Sequence, residues 1–221
     1  MKNPGNAIIC MFVTVFMLLM PSCAFGEWFG DIYLGMHSSQ ADDMSIKFNG
    51  TTVRTYTDSD TGSIFGGRIG YWFESCPWLG LAADASVSEI DFDDIDNKVF
   101  AVGSFSTLLM VRLSLKSSKE FPKGRIQPYF GVGPGFFFGG LSEFIPEVPP
   151  AGRVLDDTYN SLGFDSRIGI NVLMKKSYGL LLEYGFKRFS PSFDSDVPGG
   201  IISLEPTFST HNFSAGISFR F

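Results

Sequence analysis

Hydrophobic and polar residues alternate one by one through most of the chain after residue 27. The final stretch shows the pattern most cleanly. Phe213, Ala215, Ile217, Phe219 and Phe221 fall on one face, while Asn212, Ser214, Gly216, Ser218 and Arg220 fall on the other. A period of two marks a strand with unlike faces; a helix would scatter the same residues around its axis. The alternation recurs over residues 28–37, 65–73, 79–88, 104–113, 129–138, 162–172 and 180–187. The fourth of these is the least regular, because Leu108 and Met110 fall on its polar side. The fifth contains GVGPG, which no helical pattern follows, so it reads as a glycine-lined strand face rather than a phosphate loop. The pattern predicts eight strands.

Two regularities sharpen the prediction. Connections after the first, third, fifth and seventh strands are long, covering residues 38–61, 89–98, 140–160 and 188–206. Those after the second, fourth and sixth are shorter, and that asymmetry suits a membrane barrel with long external loops and short periplasmic turns. Charge also follows strand face. Asp31, Arg68, Asp84, Arg112, Asp165, Arg167, Glu183, Lys187 and Arg220 all lie on the polar side. An Arg or Lys on a lipid-facing side would cost about 2–4 kcal/mol at the bilayer midplane. The polar face is full of Gly, Ser and Ala, where a water-facing surface would carry Lys, Glu and Gln. A soluble eight-stranded barrel with its apolar face inward fits less well. The expected fold is all-β, an eight-stranded antiparallel up-and-down transmembrane β-barrel spanning residues 27–221.

Composition changes the picture at the amino end. The one long apolar run, residues 7–20, follows Lys2 and precedes Pro21, Ser22, Cys23 and Ala24. A charged start, apolar centre and small-residue exit describe a signal peptide over residues 1–26, with cleavage after Ala24 or after Gly26. Cys10 and Cys23 would leave with it, so Cys76 has no partner for an internal disulfide. Loss of Lys2 takes the formal charge of −6 to −7, against nucleic acid as a partner. Elsewhere no stretch approaches the roughly 18 apolar residues of a spanning helix. The 24 Phe and 25 Gly among 221 residues pair a bulky exterior with a narrow interior.

The terminal strand ends on Phe219 and Phe221 without a solvating tail, and it resembles the C-terminal aromatic signal for insertion of outer-membrane barrels. The whole of 27–221 resembles the small eight-stranded outer-membrane proteins of the OmpA, OmpX and OmpW type. That resemblance implies location in the cell outer membrane. It also implies outer-membrane lipid, lipopolysaccharide and the barrel assembly machinery as partners. No cofactor is expected.

Eight strands enclose a lumen just wide enough for side chains to fill. The nine inward charges, four acids and five bases, therefore predict an internal pairing network and a non-enzymatic protein acting structurally or through acidic external loops. A narrow ion or solute channel along the same charges is the alternative. A lipid A-modifying enzyme is the second: Ser209 and His211 share the outward face two positions apart. Their order is reversed relative to the His-x-Ser of the lipid A deacylases, and no acid accompanies them. His37 is predicted inward at the mouth of the first strand. No His or Cys cluster suggests a transition-metal site. Asp91, Asp93, Asp94 and Asp96 in DFDDIDN could hold a divalent cation through oxygen ligands, although the glycine and distal Glu of an EF-hand loop are missing.

Overall fold

The computed structural model describes residues 26–48, 51–92, 98–144, 154–191, 193–197 and 200–221. The expected signal peptide lies almost wholly outside them, as do Asp93, Asp94 and Asp96. Nine strand segments run in order: β1 (Glu27–Phe48), β2 (Thr51–Trp72), β3 (Leu79–Phe92), β4 (Lys98–Arg112) and β5 (Ile126–Phe144), then β6 (Val154–Lys175), β7 (Tyr178–Phe189), β8 (Phe193–Val197) and β9 (Gly200–Arg220). Each segment is antiparallel to its neighbours, and β1 pairs with β9 to close the sheet on itself. Closure removes every edge that lipid could not hydrogen-bond. The last residue completes the seam, its backbone N–H donating to the Trp28 carbonyl at 3.0 Å.

The nine segments make eight barrel positions. On β9, Phe189 of β7 pairs with Phe208, and Phe193 of β8 pairs with Leu204, four residues further on each strand. β8 therefore continues β7 in unbroken register. The gap between them contains Pro191, which has no N–H to give to a ladder. A similar interruption separates the Ser106–Gly135 and Leu109–Val132 pairs of β4 and β5, at Pro134.

The strands are longer than the hydrophobic alternation predicts. β1 reaches Phe48 and β2 begins at Thr51, so most of the expected 38–61 link is paired backbone. The links expected at 89–98, 140–160 and 188–206 likewise contain strand. Alternation reports which face is buried in lipid, whereas the ladder is held by backbone groups that remain unsatisfied until paired. In these links the regular alternation is interrupted, as at residues 40–43, while the pairing continues.

The apolar face points outward. Ile32, Leu34, Met36, Phe65, Leu162 and Phe213 are each more than half exposed. Such a band would aggregate in water and is the surface that lipid covers. Trp28, Tyr71, Trp78, Tyr178 and Phe219 stand on the outer surface around the short-turn end, at the height of an aromatic girdle.

The lumen is not lined by small residues alone. Phe29, Tyr33, Trp72, Leu108, Met110, Tyr129 and Leu181 form an apolar cluster within it. The irregular fourth strand thus has its reason: Leu108 and Met110 are inside, at 0% and 1% exposure. Large rings fit because each faces a glycine directly across the ladder. Phe29 pairs with Gly70, Tyr33 with Gly66, Trp72 with Gly80, and Tyr129 with Gly169. A Cβ at any of these four glycines would collide with the ring opposite. The glycine face is a set of seats for aromatics of the neighbouring strand.

Candidate functional site: a charge network inside the barrel

An inward position in a narrow barrel removes a side chain from water, and an ionised group there persists only when paired and hydrogen-bonded. All nine charged residues expected in the lumen lie there, none more than 8% exposed. They divide into a central cluster, a cluster at the short-turn mouth, and a separate lysine.

The central cluster is built on two arginines. Arg68 of β2 places Nε 3.2 Å from Asp84 and donates through Nη2 to Glu183 Oε2 at 2.5 Å, with Asp31 at 3.7 Å. Arg167 of β6 binds Asp165 through Nε at 2.7 Å, Glu183 Oε1 through Nη1 at 2.7 Å, and Asp84 through Nη2 at 2.9 Å. Glu183 on β7 and Asp84 on β3 each bridge both guanidiniums. Two tyrosines complete the cluster. The Tyr33 hydroxyl donates to Asp84 at 2.8 Å, and the Tyr129 hydroxyl donates to Glu183. Ser106 adds a bond to Asp165 at 2.8 Å. Both tyrosine rings lie within 6 Å of the Arg68 guanidinium, at 5.8 and 5.7 Å. The glycine seats hold these rings where their hydroxyls reach the carboxylates.

At the short-turn mouth Glu27 collects three cations. Arg112 Nη2 lies 2.8 Å from it, Lys123 Nζ 3.3 Å and Arg220 Nε 3.7 Å. Arg112 also donates to the Pro77 carbonyl at 2.8 Å and stacks over Trp72 at 4.4 Å. Arg112 and Arg220 both donate to Gln127 Oε1 at 3.3 Å. Gln127 in turn donates to the carbonyls of Lys123 and Gly124, so the basic 116–124 turn is folded under the mouth. Gly124 has φ of 83° there, a conformation glycine adopts without strain.

Lys187 stands apart. Its ammonium donates to Ser86 and Ser104, both at 2.7 Å, and no carboxylate lies within ion-pair distance among the described residues. The two serines also bond each other at 2.8 Å. Beyond them the Phe137 and Phe189 rings stack with centroids 4.4 Å apart.

Sequence reasoning missed Glu27, which brings the inward acids to five against the five bases. The signal was available, since Glu27 shares the parity of Phe29, Asp31 and Tyr33 on β1. It also missed the two tyrosine hydroxyls and Gln127 as partners, because cross-strand reach is not written in periodicity. Asp91 lies in the described backbone of β3, and its three companions lie outside the described residues. Phe219 and Phe221 point outward, with Phe221 81% exposed. His37 is buried beside Ser39 at 3.2 Å. His211 is on the outer face, where its Nδ1 shares a hydrogen bond with the Tyr184 hydroxyl at 2.6 Å.

A closed antiparallel barrel with an apolar exterior and a charged, filled interior defines an integral outer-membrane β-barrel protein. The family profile of the outer membrane protein beta-barrel domain matches residues 11–221, and the chain belongs to that family. No curated protein matches. Among solved structures it is similar to the outer membrane protein OprG from Pseudomonas aeruginosa, with a TM-score of 0.56 and 15% identity over 90% of this chain and 98% of that one. AlkL, determined in lipid bilayers, gives 0.56 and 15% over 90% and 92%. Neisserial surface protein A gives 0.50 and 12% over 86% and 97%. At these identities the likeness concerns the fold. The protein resides in the outer membrane.

Proposed function

We propose that the chain is a non-enzymatic outer-membrane barrel whose lumen is shut by its own side chains and whose interactions run through its long hairpins. The observation that carries this reading is the central network. Arg68 and Arg167 tie β2, β3, β6 and β7 together across the lumen through Asp84 and Glu183. A hydrated ion passing this level would have to replace several charge-assisted bonds at once, each worth roughly 1.5–3 kcal/mol. The long-hairpin end supports a surface role. Residues 38–61, 89–98, 140–160 and 188–206 carry sixteen acids against five bases. Such a surface suits divalent cations shared with lipopolysaccharide phosphates. Lipid, lipopolysaccharide and the assembly machinery are the partners this reading requires.

Planar-bilayer recording tests it. The expected result is an electrically silent protein; reproducible single-channel steps would assign the lumen to ion or solute passage instead. Incubation of purified protein with lipid A, scored for released acyl chains, tests the enzymatic alternative, and no release is expected.

A further inference from the structure

On the outer face of β7, β9 and β1 a hollow lies beside polar and charged side chains. In register across the barrel, Ala215 on β9 faces Leu34 of β1 on one side and Leu182 of β7 on the other. A single methyl between two leucines leaves a trough, and the groove centred there has a volume of about 650 Å³. Phe213 and Tyr184, directly paired, form its wall toward the long hairpins.

Beyond that wall His211 pairs with Ser38 of β1 on one side and with Phe186 of β7 on the other, and one outward position further the buried Ser209 pairs with the exposed Gln40 of β1 and Arg188 of β7. Arg188 is exposed, with no ion pair among the described residues, and it is the first outward charge met on leaving the apolar band. Tyr184 and His211 Nδ1 share a hydrogen bond, and in the tautomer whose Nδ1 accepts, a neutral His211 carries its proton on Nε2 as a further donor.

We propose that this surface is a specific lipid site: an acyl chain lies along the Ala215 trough, and a phosphate of an outer-leaflet phosphoglycolipid is held by Arg188 with His211 and Gln40. The chemistry on both sides is complementary. The trough is apolar, as an acyl chain requires. The guanidinium presents its donors to a phosphate at the height where the strand surface changes from apolar to polar. The proposal deepens the lipid partnership above and is independent of whether the lumen conducts.

Native mass spectrometry of the folded protein, titrated with purified lipid A, provides the test. Wild type should retain one lipid under activation that strips detergent. Arg188→Gln and Ala215→Leu should each weaken retention about tenfold, the size expected when one charge-assisted bond or the seat of a chain is lost. Ala85→Leu, an equivalent filling on β3, should bind as wild type does. Lipid A stripped of its phosphates should bind wild type no better than it binds Arg188→Gln. Heat-modifiable mobility establishes that each variant is folded. Equal retention by wild type, Arg188→Gln and Ala215→Leu would overturn the proposal. A concentration-dependent dimer lost in Ala215→Leu, without any lipid adduct, would assign the trough to a second copy and overturn it as well.

Discussion

Glu183 offers the most direct test of the filled lumen. Its side chain is fully buried, and the carboxylate accepts from three donors: Arg68, Arg167 and the Tyr129 hydroxyl. Glu183→Ala removes the acceptor and leaves two guanidinium nitrogens and a phenol without it. Charge-assisted bonds contribute roughly 1.5–3 kcal/mol each, but Arg68 retains Asp84 and Arg167 retains Asp84 and Asp165. The expected loss is therefore about 3–5 kcal/mol, the range for breaking a buried ion pair. Urea unfolding in detergent, followed through the fluorescence of lumenal Trp72, measures it. A double-mutant cycle locates the effect. Coupling of Glu183 to Arg68 should reach about 1–3 kcal/mol. Coupling to Lys187 should stay below about 0.5, although Lys187 lies four residues along the same face and strand, because the two make no contact. Adding Arg68→Ala to Glu183→Ala recovers only part of the loss, since Asp84 and Asp31 then lose a partner. A loss below about 1 kcal/mol for Glu183→Ala would mean that water reaches the carboxylate freely, and would refute the filled lumen.

The remaining predictions address separate parts of the barrel. Gly66→Val should displace the Tyr33 ring from its seat, break the Tyr33–Asp84 bond and lower stability by about 1–3 kcal/mol in the same unfolding assay. Deleting Phe221 should reduce heat-modifiable protein in the outer membrane. It should change the stability of refolded barrel by less than about 1 kcal/mol, because the exposed ring packs little and is held mainly through its backbone. Protease added to intact cells should cut only within residues 38–61, 89–98, 140–160 and 188–206. Cutting in 116–124 would place the short turns outside. Glu27→Gln should lower stability by about 1–2 kcal/mol, less than the change at Glu183, because Glu27 is partly exposed beside Lys123.

Much of the fold was legible in the chain because lipid imposes its requirement residue by residue. An outward position from Trp28 to Met36 or from Phe213 to Phe221 must be apolar, and a strand alternates every residue, so the period gives strand, face and membrane together. The same rule located every charge of the central cluster, since a charged residue has only one tolerable face. The lumen's contents were less legible. Trp72 and Phe137 share parity with glycines and serines, and a period of two cannot say whether a large ring has room. That is decided by the residue opposite, such as Gly80 for Trp72, and the pairing exists only once the register is set.

The sequence by itself determined the strands across the bilayer, their inward and outward faces, and the charges that had to be inside. The tertiary structure decided how far the hairpins extend, because backbone pairing continues past the points where the regular alternation is interrupted. It also decided the partners. Glu183 meets Arg68 from a strand 115 residues away, and Arg112 turns to Glu27 rather than to the centre. Closure between β1 and β9 and the shear of the barrel set those distances, and neither is a property of any local stretch of chain.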